Sequence, residues 1–536
     1  MKRALVYNQE MNEEILKTIR ERGLLLEKEI YELVENFGSP AMGKEFLENL
    51  EKVSGQKFIT KNILNKNYEY VRGAISDMPG DKNVLEKVFV KLGLSVEVIK
   101  EKIVEQPVEN RKMDYQLFYS DTKFGKKLEV KDFVGHFRSR YQQLQKILMQ
   151  RPELKENLVS IGKIGSDRAT LAIIGIVTEK RITKNKNLII RLEDLTGEVN
   201  LLVKFDKECF SKAEELQLDD VVGVRASGSR DILFAHDIFF PDSFKFEKVR
   251  FEEDISVAFL SDLHVGSGRH LRKSFERFLE WVSSEDEQAK KIKYIFFVGD
   301  NVDGTGIFPG QEEWLELKSM NVQYEKLAEY LKKIPSRITM FMCPGQHDAS
   351  IVSEPQPIIS QKYAPELHEL ENLVLVTNPC MVKLIEGEKE FKILMYHGAS
   401  LHVLINEIKE LREIKAATCP AKSAKHLLKR RHLASSHGVS TSIVYTPNGK
   451  EDPLVISEVP DVFTTGEMHR ADIENYNGVL IISNSCWQAQ TPFEEKTGNF
   501  PNPCKVPILN LKTRELKILD FRDDSEVDDS GTWREK

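Results

Sequence analysis

The sequence predicts a multidomain α/β protein in which a small helical N-terminal domain and a five-stranded β-barrel precede a larger α/β domain. Three observations support this prediction. Apolar residues recur at helical spacing near the N-terminus, short β-rich segments separated by polar turns begin at Ala169, and almost continuously apolar strands follow one another from Ile255 onward. The length of 536 residues is sufficient for about three or four domains.

Composition limits the classes of protein to consider. A hydrophobic fraction of 41% is enough for folded cores, and a net charge of −7 argues against a chain that coats nucleic acid through bulk charge. The six cysteines form no CxxC pair, which favours a reducing compartment. No apolar run reaches the roughly 18 residues of a membrane span, and the N-terminus does not look like a secretory signal. We therefore expect a cytoplasmic protein with no membrane partner.

The first predicted domain, residues 1–72, is helical. Apolar residues from Ile15 to Val34 recur at spacings of three and four, and the Gly38-Ser39-Pro40 sequence is typical of a break between helices. A second helix is predicted to start near Phe46 and a third near Thr60. No feature of the sequence indicates what this domain binds.

Two further segments are charged and poor in apolar residues. Residues 73–160 are predicted to be a charged linker with helical parts, of which Phe133 to Leu148 is the clearest. Residues 523–536 are predicted to be an acidic disordered tail, continuing the acidic run that starts at Asp520.

The second folded domain, residues 161–250, is predicted to be an OB-type barrel. Such a barrel needs five strands with a helix inserted after the third, and the helix is predicted from Lys207 to Leu216. The five predicted strands are Leu171 to Thr178, Leu188 to Leu192, Val199 to Phe205, Val221 to Ala226 and Ile232 to Phe239. OB-type barrels bind single-stranded nucleic acid or other proteins, and the absence of an obvious aromatic stacking surface leaves both uses open here.

The third domain, residues 251–522, alternates strands with helices. Its strands are almost continuously apolar, which is typical of sheets covered on both faces in a layered α/β domain. The seven predicted strands cover residues 257–260, 294–299, 338–342, 373–376, 392–397, 461–466 and 479–483.

Metal-binding residue types follow five of these seven strands. The motifs, in chain order, are Asp-x-His, Gly-Asp-x-x-Asp, Gly-x-His-Asp, His-Gly and Gly-x-x-His. Loops at the carboxyl ends of such strands open on the same side of the sheet, so these side chains are expected to converge. The ordered series predicts a site for two metal ions. The remaining histidines are interpreted as ordinary surface or core residues: His136, His236, His270, His368, His402, His426, His432 and His437.

This series resembles the motifs of calcineurin-like metallophosphoesterases, a superfamily that includes DNA-repair nucleases. The preceding barrel, together with the stretches LLKRRHLASSHG (427–438), EVPDVFTTGEMHR (458–470) and NSCWQAQTPF (484–493), is similar to the small subunits of archaeal D-family DNA polymerases. The resemblance covers roughly residues 165–521. It implies a domain built on two sheets and a heterodimer with a separate large polymerase subunit.

The resemblance also implies which residues hold the metals. The first ion would be bound by Asp262, His264, Asp300 and His469, all of which match the pattern. Asp300 would bridge to the second ion, whose other ligands would be Gln346, His397 and Glu467. The superfamily has asparagine and histidine at the positions of Gln346 and Glu467, so both departures concern the second ion. The anionic oxygen of Glu467 favours Mn²⁺ or Mg²⁺ over softer ions.

Two further groups are implied near the metals. His347 would face the scissile phosphate, where it would stabilise developing charge or protonate the leaving oxygen. Asp348 would orient His347 through a hydrogen bond and Asp303 would support the Asp300 loop, with ordinary loop capping as the alternative for both carboxylates. A basic cluster in the insert between His397 and Glu467 is expected to contact DNA phosphates. That cluster consists of Lys422, Lys425, Lys429, Arg430 and Arg431.

These residues and resemblances lead to three hypotheses of function. The first is a metal-dependent 3′-to-5′ exonuclease that proofreads single-stranded 3′ ends of DNA for a polymerase large subunit. The second is a catalytically weak or inactive accessory subunit that scaffolds the large subunit, which the departures at Gln346 and Glu467 favour. The third is a phosphoesterase that acts alone on small molecules, against which the preceding barrel argues.

Overall fold

The computed structural model describes residues 15–27, 34, 40–54, 57–59, 114–118, 127–436, 447 and 451–527. The chain divides into two compact units, Met1–Val104 and Glu105–Lys536. Within the described residues, none of the helices combines the length and the apolar character needed to cross a lipid bilayer. The bounds of the five predicted regions remain a prediction.

The first unit contains helices packed around a small core. Residues 15–22 are helical, and a second helix covers Pro40–Ser54. This helix begins six residues before the predicted start at Phe46, because proline is well tolerated in the first turn of a helix. Two short parallel strands, Leu25–Leu26 and Phe58–Ile59, pair beside it. The helix predicted near Thr60 lies outside the described residues.

The barrel in the second unit is closed and has five strands, as predicted. In the order of their pairing around the barrel, the strands are Ala169–Ile182, Leu188–Asp194, Gly197–Val203, Ile232–Phe239 and Val221–Ser229. Counted along the chain, the third and fifth strands of the barrel, Gly197–Val203 and Ile232–Phe239, pair in parallel, and the other barrel pairs are antiparallel. A helix, Phe210–Glu215, follows the third strand, also as predicted. Alternate residues of the strands fill the interior with Val, Ile and Leu side chains.

The second unit also contains two six-stranded sheets. The first contains, in spatial order, Leu373–Leu375, Thr339–Cys343, Ile292–Val298, Ser256–Leu260, Lys505–Asn510 and Leu516–Asp520. The second contains Asp472–Tyr476, Val479–Ser483, Val462–Thr465, Lys389–Met395, Cys380–Glu386 and Tyr115–Phe118. All seven predicted strands are present. Phe259 and Phe296 of the first sheet share one buried core with Ile393 and Ile482 of the second, so the sheets pack face to face.

Helices cover the outer face of each sheet. Those packed on the first sheet, through Phe275 and Leu327 among others, are Arg272–Val282, Glu287–Lys291, Met320–Leu331 and Pro365–His368. Those on the second sheet are Leu401–Glu407, Lys409–Glu413 and Pro420–Arg430. The remaining helices are Val130–Leu148, Pro152–Lys155 and Pro492–Thr497, with single 3₁₀ turns at Ile161–Lys163, Gln311–Glu313 and Ala416–Thr418. Both sheets are therefore buried on two faces, which explains their apolar sequences.

Part of the predicted linker is integrated into the fold. Tyr115–Phe118 is an edge strand that pairs antiparallel with Cys380–Glu386. The helix Val130–Leu148 lies against the barrel, where the Tyr141 hydroxyl donates a hydrogen bond to the Ile174 carbonyl at 3.1 Å. The helix predicted over Phe133 to Leu148 is therefore present, and the edge strand is an element that the prediction did not include.

The same helix is held to the second sheet's insert by a buried ionic group, which we call the Asp452 cluster and define as His136, Arg140, His432 and Asp452. One carboxylate oxygen of Asp452 accepts hydrogen bonds from Arg140 Nε at 2.6 Å and His432 Nε2 at 2.9 Å. The same oxygen lies 3.1 Å from His136 Nε2. Arg140 also donates to the Ser435 carbonyl at 2.6 Å. The four side chains are almost fully buried.

The predicted acidic tail, residues 523–536, contacts the helix Arg272–Val282 through its first residues. The Glu526 carboxylate accepts the backbone N–H groups of Lys273 and Ser274 at 2.9 Å each, at the first turn of Arg272–Val282. A carboxylate is favourable there because the first N–H groups of a helix have no partner within the helix. Val527 is fully buried. Residues 528–536 lie outside the described residues.

Candidate metal centre

Six of the predicted ligands lie together in one crevice at the carboxyl ends of the strands. This ligand cluster consists of Asp262, His264, Asp300, His397, Glu467 and His469. Five of the six have positive φ angles: 51° at Asp262, 47° at His264, 48° at Asp300, 68° at Glu467 and 54° at His469. The chain therefore turns sharply as it leaves each strand, in a conformation that Asp and His tolerate better than branched residues. Gly345 is required beside them, since a Cβ atom there would collide with the Asp300 carboxylate.

The first set of ligand atoms belongs to Asp262, His264 and His469, and all three atoms lie within 4.8 Å of one another. His264 Nε2 is 3.2 Å from His469 Nε2, which is 3.3 Å from Asp262 Oδ1. The opposite ring nitrogens are occupied: His264 Nδ1 lies 3.0 Å from Asp303 Oδ1, and His469 Nδ1 lies 2.8 Å from Glu494 Oε1. Because these carboxylates accept hydrogen bonds, both Nδ1 atoms carry the proton and both Nε2 atoms present lone pairs.

The second set of ligand atoms belongs to Asp262, Asp300 and His397. His397 Nδ1 donates to the Val298 carbonyl at 2.7 Å, so its Nε2 also presents a lone pair. That atom lies 3.3 Å from Asp300 Oδ2 and 3.2 Å from Glu467 Oε2. Asp300 Oδ2 is also 4.0 Å from His264 Nε2, between the two sets. The bridging role of Asp300 remains a prediction, and Asp262 is the residue common to the two sets of ligand atoms.

These atoms fit divalent cations. Two imidazole lone pairs face each other in the first set, and one faces two anionic oxygens in the second. His397 Nε2 and Gln346 Oε1 are buried and have no hydrogen-bond donor within the described part of the chain. Buried polar atoms are normally paired, and a cation in the second set would pair His397 Nε2. Imidazole nitrogens with carboxylate oxygens suit Mn²⁺ among other divalent ions.

The electrostatics of the crevice favour cations as well. Burial opposes ionisation of Asp300, but the adjacent His397 and His347 outweigh it and hold the pKa of its carboxyl below the usual value. Burial likewise opposes protonation of His397, yet Asp300 and Glu467 raise the pKa of its imidazole well above the usual value. Burial is also outweighed at His469, where negative neighbours including Glu494 raise the pKa well above its usual range. The negative charge that raises these pKa values would also stabilise a metal cation in place of the proton.

His347 lies at the edge of the ligand cluster, with its side chain 22% exposed and its Nε2 3.9 Å from Asp300 Oδ2. The predicted hydrogen bond from Asp348 to His347 is wrong. His347 Nδ1 donates instead to the Asp303 carbonyl at 2.7 Å. The Asp348 carboxylate accepts from Gly345 N and from the Tyr324 hydroxyl, at 2.9 Å each, and from Asn301. Burial and then the Asp300 charge raise the pKa of Asp348 to about 6. Asp348 shapes the loop backbone, and Asp303 orients both His264 and His347.

The predicted DNA-contacting cluster is mostly structural. Arg430 is 2% exposed, with Nε 3.1 Å from Asp220 Oδ1 and a second nitrogen 2.8 Å from the Glu215 carbonyl. Lys429 pairs with the Glu215 carboxylate. Arg431 is also buried, and it donates to the Ile456 and Ser457 carbonyls at 2.6 Å each. Lys429 and Arg430 join the Pro420–Arg430 helix to the barrel, and Arg431 joins its end to residues 456–457. These three side chains are therefore committed to contacts within the protein and are not available to DNA phosphates. Lys425 is half-buried and Lys422 exposed.

Two contacts of the ligand cluster are absent from the sequence-based prediction. His402, interpreted as an ordinary histidine, has Nε2 3.2 Å from Glu467 Oε1, so that interpretation is wrong. Its position five residues after His397, at the start of a helix, was the available signal. Glu494, the partner of His469, also closes the capping box of the helix Pro492–Thr497. Nothing in the local sequence distinguishes Glu494 from an ordinary capping residue.

Several known proteins are similar to this chain. Residues 257–473 match the family of DNA polymerase alpha/epsilon B-subunits. The DNA polymerase II small subunit of Methanothermobacter thermautotrophicus is 34% identical over 95% of this chain and 100% of its own length. That of Pyrococcus furiosus is 37% identical over 73% of this chain, which spans 64% of that relative, and that of Pyrococcus horikoshii is 33% identical over 93% of this chain and 80% of its own length.

Among solved structures, an archaeal phosphodiesterase matches 49% of this chain and 99% of its own, with 12% identity and a TM-score of 0.25, a likeness too weak to inform the fold. The sequence relatives are decisive, because the M. thermautotrophicus protein aligns over its whole length at more than 30% identity. By this similarity, the chain belongs to the family of small subunits of archaeal DNA polymerase II, which is the D-family polymerase.

Proposed function

We propose that this chain is a metal-dependent 3′-to-5′ exonuclease that removes nucleotides from single-stranded 3′ ends of DNA, as the proofreading subunit of a heterodimeric polymerase. The relatives are named as small subunits, which supports a separate large subunit as the partner that carries polymerisation. In this proposal the closed barrel is of the OB type, and the two packed sheets form a calcineurin-like phosphoesterase domain.

One observation carries the proposal: Asp262, Asp300 and His397 share one set of ligand atoms, while Asp262 also shares a set with His264 and His469. Side chains more than 200 residues apart in the chain therefore offer two adjoining cation sites. When bound, two divalent cations would supply Lewis-acid activation of the phosphodiester and of water.

The other residues of the crevice would position and protonate the substrate. His347 is the most exposed of the histidines around Asp300, and its Nδ1 is committed to the Asp303 carbonyl. Its Nε2 would carry a second proton in the imidazolium form of His347, and that proton would pass to the leaving 3′-oxygen as the phosphorus–oxygen bond breaks, which leaves a neutral ring. Asp303, which fixes both His347 and His264, would keep these two rings in register.

Exposed apolar side chains beside the crevice support a nucleic-acid substrate. The segment after Asp303 carries Phe308 and Trp314, which are 44% and 48% exposed. Gln311 ties this segment to the Asp303 carbonyl at 2.8 Å, and Gly268 donates to the Trp314 carbonyl at 2.9 Å. Exposed aromatic rings at the rim of a phosphodiester site can stack on unpaired bases. They would replace the buried arginines as the contacts to single-stranded DNA.

The scaffold hypothesis has its own support. Glu467 stands where the superfamily has a neutral histidine, and it lies between two histidines in this structure. An additional negative charge lowers the net charge of the second cation site and weakens its activation of water. A second metal that binds poorly would leave a domain that serves mainly as a docking surface for the large subunit.

The test is an exonuclease assay on the full chain, alone and in complex with the large subunit. The substrate is 3′-labelled single-stranded DNA with Mn²⁺ or Mg²⁺, and the expected product is labelled mononucleotide. Asp300→Ala should reduce the rate by about a thousandfold, since loss of this carboxylate from the second cation site removes several kcal/mol of transition-state stabilisation. His347→Ala should reduce it by about a hundredfold or more.

The matched control is His236→Ala, a change at an exposed histidine of the barrel. This variant should keep the wild-type rate. Absence of mononucleotide release with every metal, for both the chain and the complex, would overturn the exonuclease and favour the scaffold. Equal rates for wild type and Asp300→Ala would assign the activity to another site or to a contaminant.

A further inference from the structure

We infer that His402 is a positioning residue that holds one oxygen of Glu467, so that this ligand offers a single oxygen to the second metal and selects Mn²⁺ or Mg²⁺ against Ca²⁺. The inference deepens the proposed function, because it concerns the metal preference of the same crevice.

The two oxygens of Glu467 have different partners. Oε2 lies 3.2 Å from His397 Nε2, on the side of the second set of ligand atoms. Oε1 points the other way and lies 3.2 Å from His402 Nε2. The backbone N–H of Glu467 is directed at the Asp262 carboxylate, 3.2 Å from Oδ2. The carboxylate is therefore fixed from both ends, with one oxygen on each side.

The chemistry of the pair determines the direction of the hydrogen bond. Glutamate is ordinarily ionised at neutral pH, and here each of its oxygens lies 3.2 Å from a histidine nitrogen. An ionised carboxylate only accepts hydrogen bonds, so the His402 Nε2 atom carries the proton and donates it to Oε1. His397 Nε2, in contrast, presents its lone pair toward the cation site. His402 thus donates a hydrogen bond to Glu467, whereas His397 offers a lone pair to the cation.

His402 completes a pattern among the ligands. Three histidine ligands are each fixed through Nδ1 by an acceptor: His264 by Asp303, His397 by the Val298 carbonyl and His469 by Glu494. Glu467 is fixed by a donor, as an anionic ligand requires. Partners of this kind orient the ligands of a metal and contribute to its affinity. The pair of Glu467 and His402 would replace the one histidine that the superfamily has at position 467.

Metal preference follows from the number of oxygens that Glu467 can offer. Ca²⁺ takes six to eight oxygens and often binds both oxygens of one carboxylate, whereas Mg²⁺ requires a compact octahedral shell. With Oε1 held by His402, only Oε2 is available. His402 is the half-exposed member of the pair, at 50% exposure of its side chain, so its removal leaves space for solvent and allows the carboxylate to rotate.

The test measures metal binding to the full chain without DNA. Calorimetric titrations with Mn²⁺ alone and with Ca²⁺ alone compare wild type, His402→Ala, His402→Gln and the control His236→Ala. His402→Ala should weaken the second Mn²⁺ by about 10- to 100-fold and leave the first unchanged. Its Ca²⁺ affinity should be unchanged or higher. His402→Gln keeps a donor of similar reach and should stay within about threefold of wild type.

The inference fails if His402→Ala binds the second Mn²⁺ as wild type does, or if His402→Ala and His402→Gln weaken it equally. It also fails if the wild-type chain binds only one Mn²⁺. Since no DNA is present, this result is separate from the exonuclease test. A chain that binds two Mn²⁺ ions with the expected His402 dependence but releases no nucleotides would retain the inference and lose the proposed exonuclease.

Discussion

Two buried clusters of this protein use aspartate and histidine side chains, and they differ in whether the chain supplies its own cation. In the Asp452 cluster, the Arg140 guanidinium lies 2.6 Å from the carboxylate and neutralises it. In the ligand cluster, the partners of Asp262, Asp300 and Glu467 within the described residues are histidines, hydroxyls and backbone N–H groups, with no lysine or arginine. The chain therefore supplies the cation of the first cluster, whereas in the second the carboxylates have no lysine or arginine among the described residues and could take up metal cations from outside.

The pKa values of the histidines in the two clusters shift in opposite directions. His432 donates through Nε2 to Asp452, and its Nδ1 accepts the Ala434 N–H at 3.0 Å, so the neutral ring is already satisfied. Burial and then the Arg140 charge lower the pKa of His432 to about 4. Asp300 and Glu467 instead raise the pKa of His397. The comparison teaches that a buried Asp–His group indicates a metal site only when no permanent cation completes it.

The largest expected effect comes from opening the complete cluster. Arg140→Met should lower the free energy of unfolding by about 3–5 kcal/mol, because it leaves the Asp452 carboxylate buried without its cation. Chemical denaturation monitored by circular dichroism measures the change. Arg138→Met, at an exposed position of the same helix, should change the free energy by less than about 0.5 kcal/mol. Similar losses for the two variants would remove the distinction between the clusters.

A pH series tests the neutral state of His432. Between pH 6.5 and about 4, the unfolded chain binds a proton at this histidine and the folded chain does not, so stability falls as the pH falls. The pKa difference corresponds to about 3 kcal/mol over this range. His432→Gln should reduce the pH dependence by that amount, and His236→Gln should not. An unchanged slope in His432→Gln would show that the ring is protonated in the folded protein.

Added Mn²⁺ should stabilise the folded protein through the ligand cluster and not through the Asp452 cluster. At a Mn²⁺ concentration about 100 times the dissociation constant, the free energy of unfolding should rise by about 2.7 kcal/mol, measured as a shift in melting temperature. Asp300→Asn should lose most of this increment, whereas Asp452→Asn should retain it on a lower baseline. Retention in Asp300→Asn would mean that Mn²⁺ binds elsewhere.

The smallest expected effect is at Gln346, whose Oε1 atom is buried without a donor among the described residues. Gln346→Asn keeps the amide but removes one methylene and one rotatable bond, which gives the asparagine that the superfamily has at this position. Affinity for the second Mn²⁺ should rise by up to about tenfold, or about 1.4 kcal/mol, in a calorimetric titration. A weaker second Mn²⁺ would indicate that the longer side chain is needed to reach the ion.

The sequence predicted the seven strands and the converging ligands because both are encoded locally. An apolar run followed at once by Asp, His or Gly identifies a buried strand and its turn without knowledge of its neighbours. The five barrel strands were predictable for the same reason. The short edge strand Tyr115–Phe118 was not, because it is only four residues long and depends on its pairing with Cys380–Glu386.

The failures at the site have a common physical origin. Lys429 and Arg430 read as a basic surface in isolation, yet their partners Glu215 and Asp220 lie about two hundred residues earlier in the chain. Asp348 follows His347 directly, but the turn directs its carboxylate to Gly345 and Tyr324 instead. His402 became meaningful only with the position of Glu467. Each case depends on tertiary pairing, which the spacing of residues does not encode.

The left-handed backbone at five of the six ligand positions carries a consequence for how this site can change over evolution. Each such residue costs the fold of the order of 1 kcal/mol, so a substitution that destroys a ligand, such as aspartate to glycine, also relaxes the chain at that point. Loss of catalysis would then be accompanied by a gain in robustness. If the proposed nuclease were no longer under selection, these ligand positions would be expected to change readily and to leave a more stable subunit without catalysis.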